Sequence, residues 1–253
     1  MPKAQEKSAS EIKSLFKGLQ GDAREKEIKK LAVEGSFPEG LKKLKSVDVP
    51  LGKDGNIKIF VAPDYFALGT NQDNLLMPMT NETAQDLADV WGMSLPSSKI
   101  VDQIYHSADL QLKASPFPPD HQMVSTDRYI ESDTKIKTQY PKSHSYGDRL
   151  IVGHKKDLII APEKGRVRIY GWASSGMSRA KGRMPYIQPE SNAHDSKYVD
   201  YAHGARFMNR WIEVQENGQC KVISFQEALT DKRYCPSLSY TCPLSAEQTR
   251  GTR

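Results

Sequence analysis

The chain has 253 residues, long enough for one large domain or a domain with an appendage, which excludes a small scaffold dependent on disulfide or metal staples. An apolar share of 38% against 26% charged residues, with Ile, Leu, Val and aromatics recurring from about residue 50 to 230, excludes wholesale disorder. The 36 basic and 31 acidic residues are interspersed to a net charge of +5, without a dense basic stripe or an RNP, zinc-finger or basic-zipper pattern, which argues against a nucleic-acid partner.

The start, Met1 to Lys7, is polar, and no apolar run follows it that would serve as a signal peptide or a spanning helix. The expectation is a soluble protein without a membrane span, cytoplasmic or released by a non-classical route. Ile12, Leu15, Phe16 and Leu19, then Ile28 and Leu31, recur at helical spacing, and Gly18, Gly21, Gly35 and Gly40 divide them into short helices. Residues 1–48 are therefore expected as a basic helical appendage, packed on the main domain or contacting a protein partner. The Lys-rich run Leu41 to Lys45 is expected as a solvated face.

The main domain is expected over residues 49–230. Asn56 to Ala62 alternates apolar and polar residues as a half-buried strand does, and Pro63-Asp64 ends it. A helix follows over Asn81 to Trp91, capped by Thr80 or Asn81, with Ala84, Leu87, Ala88 and Trp91 inward and Gly92 at its end. A second runs from Ser97 to Ala108, with Ile100, Val101, Ile104 and Tyr105 on its inner face. Ser115 to Gln122 is too rich in proline for a helix or central strand and reads as an extended surface connection, and residues 140–146 as a loop. Strands are expected at Arg149 to Gly153, Leu158 to Ala161, Arg166 to Gly171, Trp211 to Gln215 and Lys221 to Ser224. Helices early and strands late predict an α+β fold with a mainly antiparallel sheet, helices packed on one side, and a C-terminal tail over 231–253. Cys220, Cys235 and Cys242 match no zinc or redox spacing; partly buried free thiols are expected, with a Cys235–Cys242 disulfide as the alternative.

Titratable groups gather beside glycines in two segments, Gly153-His-Lys-Lys-Asp and His194 to Arg206, where backbone can approach a ligand closely. A divalent metal such as zinc would need neutral imidazoles and a carboxylate from separate segments, a role open to His154, His203 and either Asp200 or His194. A metal-free site would use His203 as general base or acid, Asp200 or Asp157 to fix its tautomer, and Lys155, Lys156 or Arg206 to stabilise a developing anion. Tyr198 or Tyr201 would then be the proton donor. A third reading makes Asp200, His203 and Arg206 a buried hydrogen-bonded network under the sheet. Gly-x-Ser-x-Gly, Walker and dinucleotide-type glycine patterns are absent from the sequence. Asp64 and Asp73, near the first strand, could add a carboxylate from the other side of a cleft, but are read first as loop aspartates that turn the chain.

The phrases at 61–70, 78–80, 95–105, 153–157, 169–172, 187–189 and 198–206, among them Gly153-His-Lys-Lys-Asp and Tyr198-Val-Asp-Tyr-Ala-His-Gly-Ala-Arg, resemble a family of largely uncharacterised microbial proteins. The likeness runs from about residue 37 to 224. Several such proteins are secreted and some carry a peptidoglycan-binding module, so the resemblance implies a cell-wall or extracellular polymer as substrate. The matching positions are His154, Lys155, Lys156, Asp157, Trp172, His194, Tyr198, Asp200, Tyr201, His203 and Arg206. This chain departs from the family at Ala173, where a histidine is usual and a Ser/Gly/Arg-rich insertion runs to about Arg183, and near Glu131, where another histidine is missing. If either histidine is catalytic in the family, the resemblance implies altered or lost activity here.

The function expected is a hydrolase-like domain acting on a polar polymer, with peptidoglycan implied by the resemblance. His154, Asp157, His194, Asp200 and His203 are the expected reacting or metal-binding groups, and Lys155, Lys156, Trp172, Tyr198, Tyr201 and Arg206 the substrate-holding ones. The competing expectation is a non-catalytic binding or assembly protein with a vestigial site.

Overall fold

Hydroxyl caps fix where most of the helices begin. Ser8 forms a capping box with Glu11 at the start of α1 (Ala9–Phe16), whereas α2 (Gly21–Val33) starts without a side-chain cap. Thr80 caps α3 (Asn81–Trp91), and Gly92 in the left-handed region, at φ 66°, ends it. Ser97, Ser125 and Ser224 cap α4 (Ser98–Ser107), α5 (Thr126–Lys137) and α6 (Phe225–Thr230), and a last short turn is α7 (Cys235–Leu238). This computed structural model describes residues 6–53, 55–160, 165–175, 181–246 and 248–249. The first five residues, Ala161 at the end of an expected strand, residues 176–180 of the Ser/Gly/Arg-rich insertion and the final four residues of the tail lie outside that description.

Period-two burial fixes the strands. In β1 (Lys45–Leu51) Val47, Val49 and Leu51 turn inward, as do Ile57, Ile59 and Val61 in β2 (Gly55–Val61), and the two pair antiparallel from Lys45 opposite Val61 to Leu51 opposite Gly55. A small hairpin joins β3 (Ala67–Gly69) to β4 (Asn74–Leu76). After β5 (Met93–Ser94), β6 (Leu110–Gln111) pairs in parallel with β7 (Ile151–Val152). A four-stranded sheet then takes β8 (Lys156–Leu158), β9 (Ile169–Ala173), β10 (Tyr186–Ser191) and β11 (His203–Gly204) in the order β10-β9-β8-β11, antiparallel except that β11 runs parallel to β8. With β12 (Met208–Asn209), β13 (Trp211–Glu216) and β14 (Gln219–Ser224), the larger six-stranded sheet has the order β14-β13-β2-β12-β5, and β1 covers the other edge of β2. The fold is α+β with mainly antiparallel sheets.

The ends of the chain are more tightly joined to this core than the expected division at 48 and 230 implies. Ile12, Phe16, Ile28 and Leu31 bury in the same apolar cluster as the β1–β2 pair, and β1 itself spans residue 48. Gly40 packs against the backbone of Tyr146 and Gly147 so closely that a Cβ there would lie 1.9 Å from the Tyr146 carbonyl oxygen. From the tail, Cys235 and Leu238 enter the same cluster. The expectation of free thiols at both Cys235 and Cys242 is corrected: the turn after α7 brings their Cα atoms to 5.7 Å, within disulfide reach, and they are bonded, while Cys220 is free and exposed. Among the described residues no helix is long and apolar enough to cross a membrane.

Candidate functional site

The short parallel ladder of β8 and β11 organises the candidate residues. His203 lies opposite Lys156, and Gly204 opposite Asp157. Cross-strand partners share a face and successive residues alternate, so Lys156 and His203 fall on one side of the ladder and Asp157 on the other. Gly204 is required there, since a Cβ would come within 2.6 Å of the Tyr65 ring and 2.7 Å of Lys155 Cβ.

On the Lys156 side, Lys156 Nζ donates to Asp200 Oδ2 at 3.0 Å, and the Ala202 backbone N–H donates to Asp200 Oδ1 at 2.7 Å. The Asp200 backbone carbonyl in turn accepts the His203 N–H. His203 is fully enclosed, its Nε2 lies 3.9 Å from Asp200 Oδ2, beyond hydrogen-bond range, and neither ring nitrogen has a hydrogen-bond partner among the described residues. Burial holds the imidazole neutral by pushing its pKa down to about 4, against the pull of Asp200. Burial acts to raise the Asp200 carboxyl as well, but His203 and Lys156 outweigh it and the pKa is lowered. The Lys156 ammonium lies 5.1 Å over the Trp172 ring. Trp172 holds φ at 62°, a left-handed backbone that a bulky residue rarely adopts and that stores local strain beside this cluster.

Two rings connect His203 to the surface. The half-buried Tyr198 meets His203 edge to face at 5.7 Å between centroids, and its hydroxyl lies 3.5 Å from Asp200 Oδ2. The exposed His194 stacks on the other part of this pair at 3.9 Å from the Tyr198 centroid. Burial, with Asp200 next, pushes the Tyr198 phenol up to about 12 and keeps it a donor. Tyr201 accepts the Phe117 N–H through its hydroxyl, tying the proline-rich connection over the Trp172 and Tyr201 rings. The expectation of an extended segment at 115–122 fits this path up to the short turn over His121–Val124.

The remaining candidates form a second, enclosed network. His154 Nε2 lies 3.3 Å from Asp64 Oδ1, and the Tyr140 hydroxyl donates to Asp64 Oδ2 at 2.7 Å. The Tyr65 hydroxyl donates to Asp157 Oδ2 at 2.7 Å. Arg206 donates to the carbonyls of Ala62 and Ile151, at 2.7 and 2.6 Å, with its guanidinium 4.4 Å over the Tyr65 ring. Burial drives Asp157 up to about 7, although Arg206 and Tyr65 act to lower it. Lys155 donates to the Tyr201 carbonyl at 2.6 Å and is pushed down to about 8 by burial. These groups join β2, β7, β8 and the loops around them; they hold the ladder rather than open on solvent.

Of the sequence candidates, Lys156, Trp172, His194, Tyr198, Asp200, Tyr201 and His203 therefore gather on one side, whereas His154, Lys155, Asp157 and Arg206 belong to the other network. Among the described residues no three His, Cys, Asp or Glu side chains are placed to share a metal ion, so the zinc-type arrangement finds no ligand set there and no step below uses one. Asp64, read from the sequence first as a turn former and otherwise as an added carboxylate, is a buried partner of His154; Tyr65, Tyr140 and Tyr146, whose hydroxyl donates to the Tyr65 carbonyl at 2.6 Å, were not legible as part of the network. A polar residue next to a strand end in Pro63-Asp64-Tyr65 was the only signal. Comparison of the chain with known families, known proteins and solved structures finds no match.

Proposed function

We propose that the chain is a hydrolase-like domain acting on a polar polymer, with its reacting groups on the Lys156–His203 side of the ladder. The observation that carries this reading is the enclosed His203, whose two ring nitrogens have no hydrogen-bond partner among the described residues although a carboxylate, an ammonium and a phenol surround it. A buried polar group without partners is costly in a purely structural role and calls for another account. The strained Trp172 backbone at the same place points the same way.

In this reading His203 takes the proton of the attacking water. Asp200, held ionised by Lys156, stabilises the imidazolium that forms, and Lys156 also offers a positive charge to a developing oxyanion. Tyr198 donates a proton to the leaving group, and the exposed His194 stacked on it supplies a flat surface for the substrate. Substrate approaches from the Tyr198 side, since Tyr198 and His194 lie between His203 and the surface. His154, Asp157 and Arg206 support this side from behind and do not touch substrate.

Peptidoglycan is the polymer to test first, on the sequence resemblance. The expected result is soluble product from purified peptidoglycan or another polar polymer, lost at least a hundredfold in His203→Ala while the melting temperature stays within a few degrees. Unchanged turnover in that variant would overturn the assignment. The second reading, a non-catalytic binding protein, is favoured by the complete enclosure of His203. It predicts polymer retention without product, unaffected by His203→Ala.

A further inference from the structure

We propose that the open cleft beside Trp211 is a second glycan-binding site, distinct from the Lys156–His203 side, which holds a sugar ring of the polymer chain; the choice of a sugar rests on the polymer reading above. Trp211 is 51% exposed at the start of β13. By contrast, Trp172 is buried and Trp91 packs among Phe37, Phe66 and Phe207. The cleft has a volume of about 380 Å³, within the range of small-ligand sites. Its walls come from separate elements: Gln85 on α3, Ser94 on β5, Arg210 before β13, Ser224 at the end of β14 and Gln226 on α6.

This composition suits a pyranose ring better than an apolar ligand. One face of such a ring is a sheet of C–H groups that packs on an indole, and its rim is hydroxyls that need amide, hydroxyl and guanidinium partners. The walls supply each of these. Gln85 donates its amide N–H to Asp89, which leaves its carbonyl oxygen to accept. On β13 and β14, Trp211 and Glu213 face outward, and Val222, opposite Glu213 and 61% exposed, extends the apolar strip on the same face. An indole left open on the outer face of a hairpin, with polar walls around it, is the arrangement expected of a surface that grips a chain passing over it.

The test is a fluorescence and calorimetric titration of the full chain and Trp211→Ala with soluble hexamers of N-acetylglucosamine, glucose and xylose, alongside a polymer-turnover assay of His203→Ala. The proposal expects at least one hexamer to bind the native chain with a change in tryptophan emission. Trp211→Ala should then bind at least tenfold more weakly with an unchanged circular dichroism spectrum, while His203→Ala is read for polymer turnover alone. Binding of no hexamer, or equal binding by Trp211→Ala, overturns it. Retained polymer turnover in His203→Ala would sink the reading of the Lys156–His203 side and leave the outcome at Trp211 separately readable.

Discussion

At the scale of single residues, Arg206 and His203 divide the candidates by what their side chains satisfy. Arg206 has its guanidinium spent on the carbonyls of Ala62 and Ile151 and on the ring of Tyr65, with Asp157 4.0 Å away. Arg206→Ala leaves two buried carbonyls without their donor and takes the positive charge from beside Asp157, which keeps the Tyr65 hydroxyl, a loss on the order of 3–5 kcal/mol. A denaturant titration should show that loss, and Arg206→Lys should not restore it because one ammonium cannot span both carbonyls. A midpoint within error of the native chain would show that the Asp157 network contributes nothing to the fold. His203 has no such partners among the described residues to lose. The sequence placed both residues in one segment and gave them related roles; it could not show that alternation along β8 and β11 sends their neighbours to opposite sides. Trp172 was legible only as an aromatic match, since its left-handed backbone is a property of the folded strand end.

At the scale of elements, the strongly periodic segments were readable and the weakly periodic ones were not. The helix expected over Asn81 to Trp91 has those bounds, with Thr80 and Gly92 as its caps, because a clear apolar stripe and both end signals coincide. Helix α5 escaped because its exposed face is charged and only Tyr129 and Ile136 supply large apolar groups to its buried side. Strand β1 escaped because Pro50 and the lysines near its start mask the alternation of Val47, Val49 and Leu51. The N-terminal helices read as an appendage because a stripe of apolar residues says that a face is buried, not against what. Their attachment is tested at Gly40: Gly40→Ala should force the chain off Tyr146 and Gly147 and destabilise by about 2–3 kcal/mol. Thermal unfolding would measure it, and an unshifted melting temperature would mean that the contact yields without cost.

At the scale of the whole molecule, two buried groups set opposite responses to pH. His203 titrates at about 4 in the folded chain against 6.5 when free, so in that window the unfolded chain binds the extra proton and stability rises with pH. Asp157 titrates at about 7 against 3.8, so the folded chain keeps the extra proton and stability falls with pH over the overlapping window. Each contribution is on the order of 3–4 kcal/mol and they offset one another. His203→Gln should therefore leave a chain that loses stability between pH 4.5 and 6.5, and Asp157→Asn one that gains it, as measured by denaturant midpoints at the two pH values. Parallel behaviour of both variants and the native chain would refute the paired burial.

The Lys156–His203 side as the seat of activity is tested most directly by the pH dependence of kcat/KM on a soluble fragment of the polymer, which reports the free protein's essential base. An acid limb near pH 4, set by His203, is expected, together with loss of the activity itself in His203→Ala. A limb at 6.5 or above, or an unchanged profile in His203→Ala, would contradict it.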